Sequence, residues 1–353
     1  MTDEPAASTI RSMTEAAKRA RDFAGARTVR FTAFGRIIEV SYPAIADFPS
    51  IALGRAFRDQ ESSDSPDARI TLVDSIAAGP PPEIPWPKSW LGPFGNLRGR
   101  YAGAWSLAAD NDSGCLSAFD PGARDAAVWC KDASRLPYWV RATPFRIPLS
   151  WIAHTFGGEM IHGAGVVVHD RAVLLLGPGG AGKSTLALAA AQHGFSLLGD
   201  DFLMVCGLQA QAIYRRVKAH DDTMERLSTG PSIGQVLNAA ALAEKRILDL
   251  DESLLYVEPV PIGALVIPHI GASAKASQIS PPELLRRVVA PSMQGLLGGS
   301  GMTLKVLADL ARKVPAYELV VGPDIRDNVQ ALAAIADTAS DMTLPARSGR
   351  ESA

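Results

Sequence analysis

The run Gly177-Pro178-Gly179-Gly180-Ala181-Gly182-Lys183-Ser184-Thr185 fits the pattern G-x-x-x-x-G-K-[ST], the spacing of a loop that wraps phosphates. The chemistry needs successive backbone N–H groups turned into one concavity, which glycine allows because it has no Cβ, and a helix N-terminus behind them that adds partial positive charge. Lys183 is placed to reach the β- and γ-phosphates of a nucleoside triphosphate, and Ser184 to offer its hydroxyl to Mg²⁺. Gly177, Gly179, Gly180, Ala181, Gly182 and Thr185 complete the nucleotide-binding set. A second signal lies 17 residues beyond Lys183, where an apolar run ends in Asp200-Asp201. Beside a phosphate loop, two adjacent carboxylates offer two jobs: one shares the Mg²⁺ with Ser184, the other accepts a proton from an attacking hydroxyl.

The elements that must position these groups follow from pattern. Ala172 to Leu176 is β-branched and leucine-rich and reads as a strand, and Thr185 to Gln192 is made of good helix formers. His193-Gly194 reads as the helix C-cap. Strands are expected at 195–198 and 202–206, so close together that no crossover helix fits between them, which predicts a mixed sheet.

Taken together, His162, the run Gly163-Ala164-Gly165-Val166-Val167-Val168, the turn at His169-Asp170-Arg171, the phosphate loop and Gly194 to Asp201 resemble the catalytic domain of HPr kinase/phosphorylase. The spacing of 21 residues from His162 to Lys183 is also similar to that family, and the likeness covers about residues 159 to 205. The resemblance implies ATP and Mg²⁺ as cofactors and catalytic roles for Lys183, Asp200 and His162. In it Asp200 is the general base toward a serine hydroxyl, Asp201 is the metal partner, and His162 lies beside Asp200. The family's glycine-rich stretch that serves dephosphorylation has no counterpart after Asp201, so the kinase half of the activity is implied and the phosphorylase half is not. The layout, with its long N-terminal region, is similar to the HPr-kinase-like proteins of lasso-peptide biosynthesis, some of which phosphorylate a serine of the precursor peptide. The implied partner is therefore a peptide or protein bearing an acceptor serine; a carrier protein or a small-molecule hydroxyl stands as the alternative acceptor. A nucleotide-gated regulatory module with little phosphotransfer is the alternative function.

The stretch Tyr214 to Leu227 carries Arg215, Arg216, Lys218, Asp221, Asp222 and Glu225. It reads either as a source of basic groups over the phosphates, with Lys218 the first candidate, or as a solvated loop and helix start. A histidine before an apolar strand, as His162 is, more often serves structure than catalysis; the motif around it tips the balance. His154, His169, His193, His220 and His269 show no metal-ligand spacing and read as surface or turn residues.

Composition narrows the partners. The chain has 353 residues, 47% hydrophobic and 20% charged, with a net charge of −2, which provides no basic footprint for nucleic acid or anionic lipid. Cys115, Cys130 and Cys206 are odd in number and unclustered, which fits a reducing compartment, and no apolar run is long enough for a membrane span or a signal peptide. A cytoplasmic protein is expected.

The expected fold class is α/β: a P-loop kinase domain with a mixed sheet, like the C-terminal domain of HPr kinase, preceded by a mainly β (α+β) N-terminal domain. An N-terminal helix or extension is expected over 1–30, a Trp-rich accessory domain over 31–150, the catalytic domain over 151–340 and a disordered tail over 341–353. All six tryptophans, from Trp86 to Trp151, fall in one window outside the phosphate-loop core. Strands are expected over Thr28–Phe34, Arg36–Tyr42, Arg69–Val73, Arg100–Leu107 and Ala126–Cys130, in an antiparallel sheet without catalytic residues. The proline-rich run Gly79 to Pro87 reads as a rigid surface connection packed by Trp86 and Trp90. The aromatic residues of this half read first as core and second as a surface for a partner or a homo-oligomer. Further on, a strand over Val260–Ile267 stopped by Pro268, helices over Pro281–Ala290, Met302–Lys313 and Ile325–Ala336, and a strand over Pro315–Val321 are expected, with small-residue helix or loop over Ser228–Ala243.

Overall fold

The computed structural model describes residues 4–22, 25–53, 64–79, 97–102, 105–110, 113–228, 230–237, 245–294 and 301–343. Helix α1 (Glu4–Arg21) leads into the hairpin β1 (Ala26–Ala33) and β2 (Arg36–Pro43). Then come α2 (Phe48–Ala52), β3 (Ala68–Asp74), α3 (Ser75–Ala78), β4 (Leu97–Ala102), β5 (Trp105–Asp110), β6 (Cys115–Asp120) and β7 (Asp125–Cys130). Among the described residues these strands form a seven-stranded sheet in the order β1-β2-β3-β7-β6-β5-β4. It is mixed rather than antiparallel, because β3 runs parallel to both of its neighbours. Apolar/polar alternation reports which face is buried and carries no information about a neighbour's direction. The expected single strand over Arg100–Leu107 is two strands of a hairpin, and β6 was not anticipated. Trp86 and Trp90 lie outside the described residues. Helix α1 packs Met13 and Ala17 against Val73, Leu107, Ala127 and Trp129, and Arg21 donates two 2.8 Å hydrogen bonds to the carboxylate of Asp125.

Helices α4 (Tyr138–Ala142) and α5 (Arg146–Thr155) lead to the second half. There follow β8 (Gly158–Val168), β9 (Arg171–Leu176), α6 (Lys183–Gln192), β10 (Ser196–Gly199), β11 (Phe202–Cys206), β12 (Gln209–Ala212), β13 (Arg216–Ala219), α7 (Asp221–Leu227), β14 (Gly234–Val236) and β15 (Arg246–Leu250). The chain closes with β16 (Val260–Ile270), β17 (Lys275–Ile279), α8 (Pro281–Gln294), α9 (Gly301–Lys313), β18 (Ala316–Val321) and α10 (Ile325–Thr343). Eight of these strands form a mixed sheet in which β9 and β18 run parallel to β16 while β8 is antiparallel to β9. Strands β13, β15 and β14 form a small sheet of their own.

The large sheet is covered on both faces, which is why β9 reads as an unbroken apolar run. Val173 and Leu175 face a cluster with α6 and α10, whereas Ala172, Leu174 and Leu176 face a cluster with α8 and α9. The architecture is α/β, as the element pattern implied. Helix α6 is buried almost all round, and its alanines at 187, 189, 190 and 191 let sheet and neighbouring helix approach closely. Pro268 does not stop β16, which continues to Ile270 paired with β18. The last β9 partner is Val266, so the N–H that Pro268 lacks costs no ladder bond on that side. Strand β17 went unexpected because four of its five residues are exposed, leaving no burial alternation to read. The region Ser228–Ala243 contains β14 where helix or loop was expected, and residues 238–243 lie outside the described residues. Helix α10 runs to Thr343, past the expected start of the tail.

The two halves share apolar contacts across residue 150. Phe31, Ile38 and Ile152 belong to one buried cluster with Met160, Phe202, Met204 and Tyr214. The amide of Phe34 donates to Gln211 Oε1 at 2.8 Å, and Tyr214 Oη donates to the Pro144 carbonyl at 2.7 Å. Among the described residues, no helix is long and apolar enough to cross a membrane.

Candidate functional site

The site is assembled where three strands meet the head of α6. Strands β8 and β9 are joined by a two-residue turn in which His169 and Asp170 both have positive φ, so the chain returns directly and delivers Leu176 beside Gly163. A Cβ at Gly163 would stand 2.7 Å from the Leu175 carbonyl, so only glycine permits this approach. The loop from Gly177 to Gly182 then leads into α6, with positive φ at Gly177, Gly180 and Gly182. The ammonium of Lys183 is buried and lies back along the loop, donating to the carbonyls of Gly177 at 2.8 Å and Pro178 at 2.7 Å. Thr185 shares a 2.8 Å hydrogen bond with Thr223 of α7, tying the loop's helix to the segment after β13.

Strands β10 and β11 run one after the other along β8, β10 through Gly199↔Gly165 and β11 from Phe202↔His162. Asp200 and Asp201 occupy the break between them. The chain bends at these two residues, and the left-handed backbone of Asp201 separates the pair. Ser184 Oγ donates to Asp200 Oδ1 at 2.8 Å. Asp201, held at φ +70°, turns the other way: its Oδ2 lies 2.6 Å from Lys218 Nζ of β13 and accepts from Thr143 Oγ1 at 3.3 Å. A left-handed backbone is uncommon for a residue other than glycine and costs of order 1–3 kcal/mol, a strain that collects at functional sites.

Two implied placements are corrected by this geometry. His162 lies beside Asp201, with Nδ1 3.8 Å from Oδ1, and not beside Asp200. Ser184 is bonded to Asp200, and not to Asp201. The resemblance transferred the pair by sequence order, whereas the bend at the strand break decides which carboxylate faces α6. Lys218 of β13 pairs with Asp201, while Asp221, Asp222 and Glu225 are exposed on α7, so the charged stretch is a strand at the site followed by the solvated helix start. The reading of His154 as a surface or turn residue is also corrected: its Nε2 is 2.7 Å from Oε2 of the fully buried Glu159, which also accepts from Thr303 Oγ1.

The two carboxyls differ in acidity. Burial, reinforced by the charge of Asp201, pushes Asp200 up to about 6. Burial works in the same direction on Asp201, but Lys218 and His162 outweigh it and hold that carboxyl down at about 2. Burial lowers His162 against the pull of Asp201, so its imidazole is neutral at pH 7. Its Nδ1 is buried and makes no hydrogen bond among the described residues, and its ring meets Phe202 edge-on at 5.4 Å. The site is thus a glycine-rich loop with one carboxyl on the hydroxyl of its serine and a second carboxylate, ionised at neutral pH, beside it.

The donor set suits Mg²⁺. Ser184 and Asp200 place two oxygens within 2.8 Å of each other at a helix N-terminus, and Mg²⁺ prefers oxygen, takes few protein ligands and keeps several waters. Among the described residues no group of three or more His, Cys, Asp or Glu side chains could hold a metal by itself.

Motif reading missed Thr143, Arg146 and Thr223. Thr143 touches Asp201, and Arg146 adds positive charge to it from α5 in the N-terminal half, which was expected to contribute nothing to the site. They lie 58 and 55 residues from Asp201 in sequence, and no local pattern marks them. No protein-family model matches the chain, and no curated protein matches it.

Proposed function

We propose that the protein is a P-loop kinase that transfers the γ-phosphoryl group of ATP to a serine hydroxyl of a peptide or protein, in the manner of the HPr-kinase-like enzymes it resembles. The observation that carries the reading is the divided aspartate pair: Asp200 on the hydroxyl of the loop serine, and Asp201 fixed beside it by Lys218. A nucleotide switch needs the first of these and has no use for the second.

In this reading the glycine-loop amides and the ammonium of Lys183 surround the β- and γ-phosphates, which draws Lys183 from the carbonyls of Gly177 and Pro178. Ser184 and Asp200 would hold Mg²⁺, which would neutralise phosphate charge that develops during transfer. Asp201 orients the serine hydroxyl and accepts its proton, while Lys218 and Thr143 keep the carboxylate in place and the imidazole of His162 packs beside it. A carboxyl at about 2 is a weak base, which suits a loose phosphoryl-transfer transition state in which the acceptor loses its proton late and positioning matters more than basicity. In this reading the general base is Asp201 rather than Asp200.

The test is transfer to a serine peptide, a lasso-type precursor first among them, in ATP and Mg²⁺. A mass gain of one phosphate localised to serine, lost in Asp201→Asn while ATP binding persists, supports the reading. Tight ATP binding with no transfer to any peptide, carrier protein or small-molecule hydroxyl identifies a nucleotide-gated module instead.

A further inference from the structure

On the far side of the phosphate loop from the aspartates, a cavity of about 370 Å³ opens between the loop and the end of β16. Its walls are Pro178 to Ala181 of the loop, Ile267 to Ile270 of β16 and Arg287 of α8. Strand β9 lies between β8, which the aspartates flank, and β16, which leads to the cavity. Because β9 and β16 are parallel neighbours, both present their carboxyl ends at the same edge, the edge at which open α/β sheets take ligands.

We propose that this cavity holds the base and ribose of the nucleotide whose phosphates occupy the loop. The inference rests on the kinase reading above. If the terminal phosphate faces Ser184 and Asp200, the triphosphate must cross the loop away from them, and its nucleoside leaves on the β16 side. The lining suits that occupant. Ile270 is 72% exposed, an apolar side chain that no core claims, and with Ile267 and Pro268 it forms an apolar wall. His269 offers an aromatic face for stacking. Arg287 is fixed by Glu318 at 2.6 Å before a ligand arrives, and His269 Nδ1, 3.3 Å from the same Glu318 oxygen, makes no hydrogen bond among the described residues. The volume falls within the range of small-molecule sites.

Calorimetric titration of ATP and of inorganic tripolyphosphate, each with Mg²⁺, into the full chain separates the two claims. The wild-type protein should bind ATP at least about tenfold more tightly than tripolyphosphate, the scale of one stacked base. In His269→Ala/Ile270→Ser that preference should fall to within about twofold, through loss of ATP affinity alone, because tripolyphosphate never reaches this wall. Ile270→Ser, a change at an exposed position, provides the same reading if the double variant is unstable, with a smaller loss. Equal wild-type affinity for both ligands, or an ATP preference that survives the substitutions, overturns the nucleoside site and leaves the phosphate loop standing. Binding of neither ligand overturns the loop reading itself, and this inference with it.

Discussion

Replacing Lys218 with methionine removes the ammonium that holds Asp201 and keeps most of its volume. The charges are 2.6 Å apart, with side chains only 12% and 17% exposed. At an effective dielectric of about 20 their attraction is about 6 kcal/mol, of which desolvation of the two groups offsets a large part. The depression of Asp201 from 3.8 to about 2 gives a second measure, about 2 kcal/mol. A loss of about 2–4 kcal/mol at pH 7 is therefore expected, since one partner is left buried and charged. The sign with pH follows from the same shift. In the wild type the folded-state value lies below the unfolded one, so the contribution of Asp201 is present in full above about pH 4 and is lost as pH falls toward 2. Without Lys218, burial acts on Asp201 against less opposing charge, so acid neutralises it in the variant first and the gap between the two proteins narrows from pH 7 to pH 5. Urea unfolding at both pH values measures this, and Lys218→Met/Asp201→Asn should recover most of the loss. A single-variant cost below about 1 kcal/mol, or a double variant no more stable than the single, would refute the argument that a buried ion pair positions Asp201.

Asp200→Asn should weaken the dependence of ATP binding on Mg²⁺, whereas Asp201→Asn should keep that dependence and lower transfer by about 10²-fold; a metal titration of both variants decides between them. Gly163→Ala should lower the thermal midpoint by several degrees, because its methyl would meet the Leu175 carbonyl at 2.7 Å between the paired strands. Glu159→Ala, which strands His154 and Thr303 in the core, should cost about 3 kcal/mol in chemical unfolding. Excess inorganic phosphate should not release phosphate from a phosphorylated acceptor as pyrophosphate; pyrophosphate formation would restore the phosphorylase half of the activity.

The parts of the site legible in the sequence are those that local chemistry dictates. Phosphate wrapping needs glycines, a lysine and a hydroxyl at fixed spacing, and the apolar run of β9 with the alanine-rich α6 follows from burial on both faces. The mixed sheet was expected from the few residues between β10 and β11, but these strands run end to end along β8, and the mixing comes from the antiparallel β8–β9 and β11–β12 pairs beside the parallel β9–β16 pair. What could not be read is which way each member of an adjacent pair points. Asp200 and Asp201 are chemically identical, and only the strand break and the positive φ of Asp201 send one to Ser184 and the other to Lys218. Thr143 and Arg146 escaped for a different reason: they reach the site from α4 and α5 through tertiary packing, which leaves no periodic trace. The parallel entry of β3 and the exposed β17 escaped because alternation encodes burial and not partner direction.

Calorimetric titration of ATP with Mg²⁺ into the wild-type chain and into Lys183→Ala tests the central claim most directly. The account predicts saturable, Mg²⁺-dependent binding at one site per chain, lost in the variant because the buried ammonium at the head of α6 is the loop's only point charge on the β- and γ-phosphates. Absence of binding to the wild type, or an affinity unchanged by the substitution, would contradict it.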